Sequence, residues 1–180
     1  MLTIITGTPG CGKSTVAKIV SSKTNSKLIS INSLLDDYDL NLGVDEKRGY
    51  KIVDTLAMIP IVDKISKDNP DYNIIFEGHL AHDYPNADKV IVLRCNPDIL
   101  KERLSTRNWK DMKVHENISA EILGICTSEA YDTYSDKISE IDTSNLSVDE
   151  VADKVIAIIN GSNLENAGSI DYLGEYFSYL

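Results

Sequence analysis

Residues 1–15 read Met-Leu-Thr-Ile-Ile-Thr-Gly-Thr-Pro-Gly-Cys-Gly-Lys-Ser-Thr. An apolar, β-branched run extends from Leu2 to Thr6, and a Gly-x-x-x-x-Gly-Lys-Ser motif follows from Gly7 to Ser14. Beyond the motif, apolar residues recur with helical spacing over positions 16–20. Strand, glycine-rich loop and helix in this order are the context in which a P-loop forms. The stretch therefore predicts a P-loop.

The residue types of this loop suit a bound polyphosphate. Gly7, Gly10 and Gly12 allow a tight turn whose backbone N–H groups face an anion, and the following helix directs its positive end at the same point. Lys13 supplies a charge for the β- and γ-phosphates of ATP, and Ser14 supplies a hydroxyl for Mg²⁺. The form Gly-Thr-Pro-Gly-x-Gly-Lys-Ser-Thr is typical of small nucleoside and nucleotide kinases rather than of GTPases.

The rest of the chain alternates apolar strands with helical patterns. The predicted strands cover residues 2–6, 27–31, 72–76, 89–93 and 140–143. Such alternation predicts a three-layer α/β fold of the P-loop NTPase type, with a parallel sheet of about five strands. Ligands of these sheets bind beyond the carboxyl ends of the strands. We expect one domain over residues 1–160.

Three further elements are predicted from local patterns. Residues 36–49 are polar and rich in turn formers, which favours a mobile loop between helices. Apolar spacing predicts a helix from Tyr50 to Ile65, ended or kinked by Pro60 near Ile59. Residues 118–134 read as one long helix.

Two side chains follow the third predicted strand. Glu77 can hold Mg²⁺ as the acidic partner of the P-loop, or it can simply face solvent at the strand end. His79 can orient a water molecule or contact the transferred phosphoryl group, or it can close a turn without a chemical role. A strong base is unnecessary when the acceptor is a phosphate, because that oxygen is already ionised. We expect His82 to lie at the surface.

A basic segment lies within an acidic chain. Residues 89–113 carry a net charge of +4, whereas the whole chain carries −10. Arg103 and Arg107 are four residues apart on one helix face, and with Lys110 and Lys113 they can close over the polyphosphate as a lid. The alternative is a solvated, salt-bridged helix.

Two other residues near this segment have open roles. Arg94, at a strand end, is equally compatible with a structural and a catalytic role. Trp109 can stack on a base or merely close the lid. The candidate catalytic residues are therefore Lys13, Glu77, His79, Arg103 and Arg107.

Composition excludes several classes of function. A pI of about 4.7 disfavours broad nucleic-acid binding, which needs a basic surface. No apolar run approaches the ~18 residues that span a membrane. No signal peptide precedes the first strand, and three cysteines without metal or disulfide spacing favour a cytoplasmic location.

Several segments together carry a family resemblance. They are Gly7–Thr15, Glu77–His82, Val92–Pro97, Lys101–Leu104, Arg107–Lys113 and Glu116–Ile122. With these segments the chain resembles the nucleoside monophosphate kinase superfamily and, within it, the adenylate kinase isoenzyme 6 family. This archaeal or nuclear-type family is linked to assembly of the small ribosomal subunit.

The resemblance implies the reaction ATP + AMP ⇌ 2 ADP with Mg²⁺, together with weak ATPase activity. It implies ATP contacts at Gly10, Gly12, Lys13, Ser14, Thr15 and Arg107. It also implies an AMP-binding helical region at about 30–53, a short lid at about 106–116, and a small-subunit ribosomal protein as partner. His79 matches a family position that is tied to hydrolysis.

The chain departs from typical adenylate kinases in the acceptor half. It has Glu-Gly-His-Leu-Ala at 77–81 where they have Asp-Gly-Phe-Pro-Arg, so an arginine for the acceptor phosphate is missing. Arg48 or Lys51 can substitute. Two hypotheses follow: an adenylate kinase, or an ATPase assembly factor that binds a ribosomal protein. The tail, residues 161–180, either folds back on the domain or docks on a partner.

Overall fold

A computed structural model describes residues 1–46, 50–162 and 165–180. The strands are β1 (Leu2–Gly7), β2 (Lys27–Ser30), β3 (Asn41–Asp45), β4 (Tyr50–Val53), β5 (Ile74–Glu77), β6 (Lys89–Arg94), β7 (Ile138–Asp142) and β8 (Glu165–Asn166). The helices are α1 (Lys13–Thr24), α2 (Ile31–Asp37), α3 (Thr55–Lys67), α4 (Pro97–Ser105), α5 (Asp111–Ile122), α6 (Ile125–Tyr134), α7 (Val148–Ile159) and α8 (Leu173–Tyr176). Short 3₁₀ segments cover Ala81–Asp83, Ser135–Lys137 and Phe177–Tyr179.

The central sheet has the strand order β2-β5-β1-β6-β7-β8. Its first five strands are parallel, and the two-residue β8 pairs antiparallel with β7 at the edge. Apolar side chains of the central strands alternate between two buried layers, as the period of a strand requires. Ile4 and Phe76 pack with α3 and α6, whereas Ile5 and Ile75 pack with α1 and α7. The predicted three-layer α/β fold with five parallel strands is confirmed.

Residues 41–45 and 50–53 differ from the sequence prediction. They form the antiparallel pair of strands β3 and β4, called the hairpin below, in which Asp45 faces Tyr50 and Val44 faces Lys51. The prediction of a loop is therefore wrong over 41–45, and that of a helix from Tyr50 is wrong over 50–53. Helix α3 begins only at Thr55. Asp54 is its N-cap residue, and the Asp54 carboxylate accepts a hydrogen bond from the Ala57 N–H at 2.9 Å. The expected helical acceptor region therefore consists of α2 and a hairpin.

Pro60 lies inside α3, which continues past it, so the predicted end near Ile59 is wrong. A proline removes the hydrogen bond to the carbonyl four residues earlier, which here belongs to Leu56. Leu56 is 79% exposed, so water can bond this carbonyl. Met58 and Val62, on either side of the proline, remain buried in the core and hold the helix in place.

The predicted long helix over residues 118–134 is two helices. Helix α5 ends at Ile122 and α6 begins at Ile125. Between them Gly124 has a φ of +62°, a left-handed conformation that terminates helices and that residues with a Cβ rarely adopt. Among the described residues, no helix combines the length and apolar character needed to cross a membrane.

Arg94, Glu121 and Glu140 form a buried ion cluster beneath the carboxyl end of the sheet. Arg94 Nε lies 2.8 Å from Glu121 Oε1, and its Nη1 lies 2.6 Å from Glu140 Oε1. Thr127 Oγ1 also donates to Glu140 Oε1 at 2.7 Å. Each of the three charged residues is at most 2% exposed. Burial opposes the charge of the guanidinium, yet the two carboxylates hold the pKa of Arg94 above its ordinary value.

The buried ion cluster joins distant parts of the chain. Glu121 accepts a bond from the hydroxyl of Thr8 in the glycine-rich loop. Glu140 Oε2 accepts bonds from the N–H groups of Gly168 and Ile170, at 2.8 and 3.3 Å. The cluster therefore connects the P-loop, α5, β7 and the C-terminal segment. Arg94 is structural in this arrangement.

The C-terminal tail lies against the domain. The Tyr176 hydroxyl accepts a bond from Asn96 Nδ2 and donates to Asp98 Oδ2, each at 3.0 Å. The Tyr179 ring stacks on His115 with centroids 4.9 Å apart. Tyr172 is buried, and Arg94 lies 5.4 Å from the centre of its ring.

We predict that Arg94→Met destabilises the fold by about 3–5 kcal/mol, because it leaves Glu121 and Glu140 buried without their cation. For a domain of this size the melting temperature should fall by about 6–20 °C. Thermal and urea unfolding measure the loss. The matched control is Lys101→Met, which removes an exposed cation from α4. Equal stability of the two variants would contradict the structural role of Arg94.

Candidate active site

A cleft of about 1140 Å³ opens at the carboxyl ends of β1 and β5. The glycine-rich loop and the first turn of α1 form one side of it, α2 and the β3–β4 hairpin form another, and the segment from Arg107 through α5 covers it. The cleft is lined by these predicted site residues: Gly10, Gly12, Lys13, Ser14, Thr15, Glu77, His79 and Arg107. Arg103 is absent from that lining.

The glycine-rich loop fits tightly against β6. A Cβ on Gly7 would lie 2.2 Å from the Leu93 carbonyl oxygen, and the φ of Gly7 is +133°. Only glycine fits there without displacing backbone. At the end of the loop, the Gly12 carbonyl accepts bonds from the N–H groups of Thr15 and Val16, which starts α1. The N-terminus of α1 thus faces the cleft, where it favours an anion.

Lys13 is 9% exposed and belongs to the wall of the cleft. Its ammonium donates to the Thr8 carbonyl at 3.1 Å, which holds the side chain back across the loop. Burial is the largest cause of a lowered pKa at Lys13, and Arg107 lowers it further. Because burial and a neighbouring cation both disfavour its charge, a phosphate at this point would stabilise it.

Ser14 and Glu77 meet at the base of the cleft. Ser14 Oγ donates to Glu77 Oε2 at 3.0 Å. Glu77 ends β5 and is 4% exposed, so the alternative of a carboxylate in solvent does not apply. A hydroxyl and a carboxylate are oxygen ligands of the kind Mg²⁺ prefers. These two residues fit the metal of a P-loop site.

His79 reaches the cleft from the loop after β5. Its backbone carbonyl accepts a bond from Thr6 Oγ1 at 3.2 Å, and its Nδ1 lies 3.8 Å from Cys126 Sγ. Desolvation by surrounding protein atoms is the largest cause that lowers the pKa of His79 to about 4, followed by the charges of Lys13 and His82. The ring is therefore neutral at pH 7.

His82 is buried, at 1% exposed, so its predicted surface position is wrong. Its Nδ1 lies 2.8 Å from Thr6 Oγ1, and its Nε2 lies 3.1 Å from Glu129 Oε2. The ring thus joins β1 to α6. A histidine inside a loop-like sequence gives no signal of such burial.

The segment predicted to form a lid packs its aromatic and basic side chains together. The Arg107 guanidinium lies 4.9 Å from the centre of the Trp109 ring. Lys113 Nζ lies 4.2 Å from the centre of the same ring and 4.4 Å from that of Tyr50 in β4. Asn117 Nδ2 donates to the Tyr50 hydroxyl at 3.1 Å. The lid therefore contacts the hairpin directly.

Of the remaining basic candidates that the structure describes, Lys51 lines the cleft, whereas Arg103 and Lys110 do not. Arg103 donates to Thr143 Oγ1 at 3.0 Å and to its carbonyl at 2.9 Å, so its guanidinium joins α4 to the residue after β7. Lys110 caps the N-terminus of α5 and is exposed. Lys51 lines the cleft from β4. Arg48, the other proposed substitute for the missing arginine, lies outside the described residues.

Sequence reasoning missed Glu121 and Tyr50. Glu121 lies on the apolar face of α5, three residues after Ile118 and one before Ile122. An acidic residue on an apolar helix face indicates a buried carboxylate that needs a partner. Tyr50 was assigned to a helix, so its place on the hairpin could not be found from the pattern.

Known proteins share both the sequence and the fold. The family described as "AAA domain" matches residues 4–124. A protein of Methanocaldococcus jannaschii is 39% identical over 98% of this chain and 95% of its own length. Another, from Methanothermobacter thermautotrophicus, is 37% identical over 94% of this chain and 96% of its own. Both relatives are named "Putative adenylate kinase".

Solved structures of more distant proteins share the architecture. Deoxyadenosine kinase from M. mycoides has a TM-score of 0.57 at 20% identity, over 90% of this chain and 100% of that one. Thymidylate kinase from Candida albicans has a TM-score of 0.54 at 18% identity, over 92% of this chain and 96% of that one. At 18–20% identity, the similarity to these solved structures shows the fold alone. The relatives at 37–39% identity over nearly the full length show the family. The chain belongs to the archaeal-type adenylate kinase family, within the P-loop nucleoside monophosphate kinases whose motifs it carries.

Proposed function

We propose that this protein transfers the γ-phosphoryl group of ATP to AMP and forms two ADP. The observation that carries the proposal is that the P-loop, the hairpin and Arg107 all line one cleft. A phosphoryl donor and an acceptor can therefore lie side by side in it. The names of the close relatives support AMP as the acceptor.

Lys13 and Arg107 have the clearest roles in this reaction. Charge spreads over the equatorial oxygens of the phosphoryl group as it transfers, and fixed cations stabilise it. Lys13 is held in place by Thr8 and is largely shielded from water. Gly10, Gly12 and Thr15 line the donor side with backbone and hydroxyl groups. Arg103, which bonds to Thr143, would have to exchange these bonds to reach the phosphates.

Ser14 and Glu77 are the residues that would hold Mg²⁺. The ion, when bound, neutralises the β- and γ-phosphate oxygens. Ser14 Oγ lies 3.0 Å from Glu77 Oε2, so both oxygen groups meet at one point of the cleft. The acceptor phosphate is ionised at neutral pH, so no side chain has to remove a proton from it.

We predict that Lys13→Met lowers kcat/KM for ADP formation from ATP and AMP by about 10²–10³-fold, because it removes a preorganised charge from the transferred group. A coupled assay with saturating AMP measures this loss. The matched control is Lys18→Met, an exposed lysine one turn further along α1 and outside the cleft. The proposed function would be wrong if the wild-type protein showed no AMP-dependent turnover.

A second candidate function is ATP hydrolysis, and the position of His79 favours it. The ring faces the cleft and is neutral at pH 7, so it can accept a hydrogen bond from a water molecule. Water, unlike a phosphate acceptor, is not ionised and benefits from such a partner. In this proposal hydrolysis is a weak companion of the kinase reaction.

We predict that His79→Ala lowers phosphate release without AMP on the order of 10²-fold and changes ADP formation with AMP less than about threefold. His79→Gln should keep part of the hydrolysis if the ring orients water rather than removes its proton. The His79-dependent rate should be flat from pH 6 to 8 and fall as pH approaches 4, where the ring gains a proton. If His79→Ala lowered phosphate release and ADP formation equally, the assignment of His79 to hydrolysis alone would be wrong.

The resemblance further suggests a role in small-subunit assembly, and we extend the proposal to a basic ribosomal protein as partner. Residues 114–180 carry a net charge of −11, which suits such a partner. Exposed acids include Asp132 on α6 and Glu175 on α8. The three buried free thiols suit a reducing cytoplasm, the location we propose.

We expect a purified basic small-subunit ribosomal protein to bind at low salt and to bind more weakly as salt screens the charges. Asp132→Lys should weaken the complex, because it reverses one charge on the acidic surface, whereas Lys101→Met should not. Fluorescence anisotropy measures both. If the affinity did not change with salt concentration, charge complementarity would be excluded as the basis of binding.

A further inference from the structure

The acceptor half of the cleft lacks one expected cation. Typical adenylate kinases place an arginine where this chain has Ala81, and Ala81 is fully buried against the core. A dianionic phosphate still needs a positive group. We propose that Lys113 binds the phosphate of the acceptor nucleotide, a role that rests on the function proposed above.

Lys113 has the right position for this role. It lies on the first turn of α5 and lines the cleft between the lid and the hairpin. Its ammonium contacts Trp109 of the lid and Tyr50 of the hairpin. Asn117 lies one turn later in α5. Its side-chain amide donates to the Lys113 carbonyl at 2.6 Å and also to the Tyr50 hydroxyl. The Lys113 backbone is thus joined to Tyr50, and the ammonium lies beside the rings of Trp109 and Tyr50.

Lys113 is also available to an anion. Within the described ranges, no carboxylate lies within salt-bridge distance of its ammonium. Two aromatic rings hold the charge in place without neutralising it. Burial, followed by the nearby charge of Arg107, lowers the pKa of Lys113. The negative charge of a bound phosphate would oppose both effects and favour the charged form of Lys113.

Arg107 lines the same cleft as Lys13 and Lys113. Its charge lowers the pKa of Lys13 and also that of Lys113, so it lies within electrostatic reach of both. Lys13 belongs to the P-loop and therefore to the donor. Lys113 contacts the hairpin and therefore faces the acceptor. A transferred phosphoryl group between them would meet Arg107.

Lys51 is the competing candidate on the hairpin. It is exposed, and its neighbours Tyr50 and Ile52 also line the cleft. No contact with a second element fixes its side chain in the described part of the chain. Lys113, in contrast, is held by two rings from two elements, so less side-chain entropy is lost when it binds a phosphate.

The test measures binding of AMP and of ATP by calorimetry to the full-length wild type, Lys113→Met, Lys113→Arg and Lys51→Met. Lys113→Met should weaken AMP binding at least about tenfold and change ATP binding less than about threefold. Lys113→Arg should restore AMP binding to within about threefold. Lys101→Met serves as the charge-matched control outside the cleft. Melting temperatures show that each variant is folded.

The outcomes separate the two proposals. If wild type binds AMP and forms ADP but Lys113→Met binds AMP normally, the assignment of Lys113 is wrong and the proposed function stands. If only Lys51→Met loses AMP affinity, Lys51 takes the role. Equal loss of AMP and ATP affinity in Lys113→Met would indicate a structural role and would also overturn the assignment. If wild type neither binds AMP nor forms ADP, both proposals fail.

Discussion

The contact between Arg94 and two buried carboxylates holds the catalytic end of the sheet together. One cation faces Glu121 and Glu140, and the remaining lone pairs of the carboxylates accept bonds from the P-loop and from the C-terminal segment. Without Arg94, two carboxylates would remain in the core without a cation, where such a charge costs several kcal/mol. The geometry of the glycine-rich loop thus depends on residues more than a hundred positions away.

Above this cluster, the cleft concentrates positive charge in an acidic protein. The chain has a net charge of −10, yet Lys13, Arg107 and Lys113 line one cavity. Such local contrast raises the concentration of an anion at the site while the acidic surface elsewhere repels it. In the part of the chain that the structure describes, Arg107 and Lys113 contact aromatic rings and form no ion pair with a carboxylate. Their charges therefore remain available for phosphates.

Sequence patterns predict the strand, the loop and the helix that form one side of the cleft. The motif at 7–14 requires a strand before it and a helix after it, and both occur where expected. The β3–β4 side of the cleft is harder to predict, because the alternation of Leu42 with Val44 and of Tyr50 with Ile52 is short and lies beside turn-forming residues. Helix α3 passes through Pro60 because tertiary packing on both sides outweighs one lost hydrogen bond. Glu121 and Arg94 pair across 27 positions, and a single sequence contains no sign of such a long-range contact.

The bonds from the C-terminal segment also have a consequence for the order of folding. Glu140 lies in β7, and two of its hydrogen-bond donors, Gly168 and Ile170, lie 28 and 30 residues later in the chain. Contacts between residues this far apart close a long loop, and its entropy has to be lost before the hydrogen bonds form. We therefore expect the surroundings of the P-loop to reach their final arrangement only when the C-terminal segment has docked on β7.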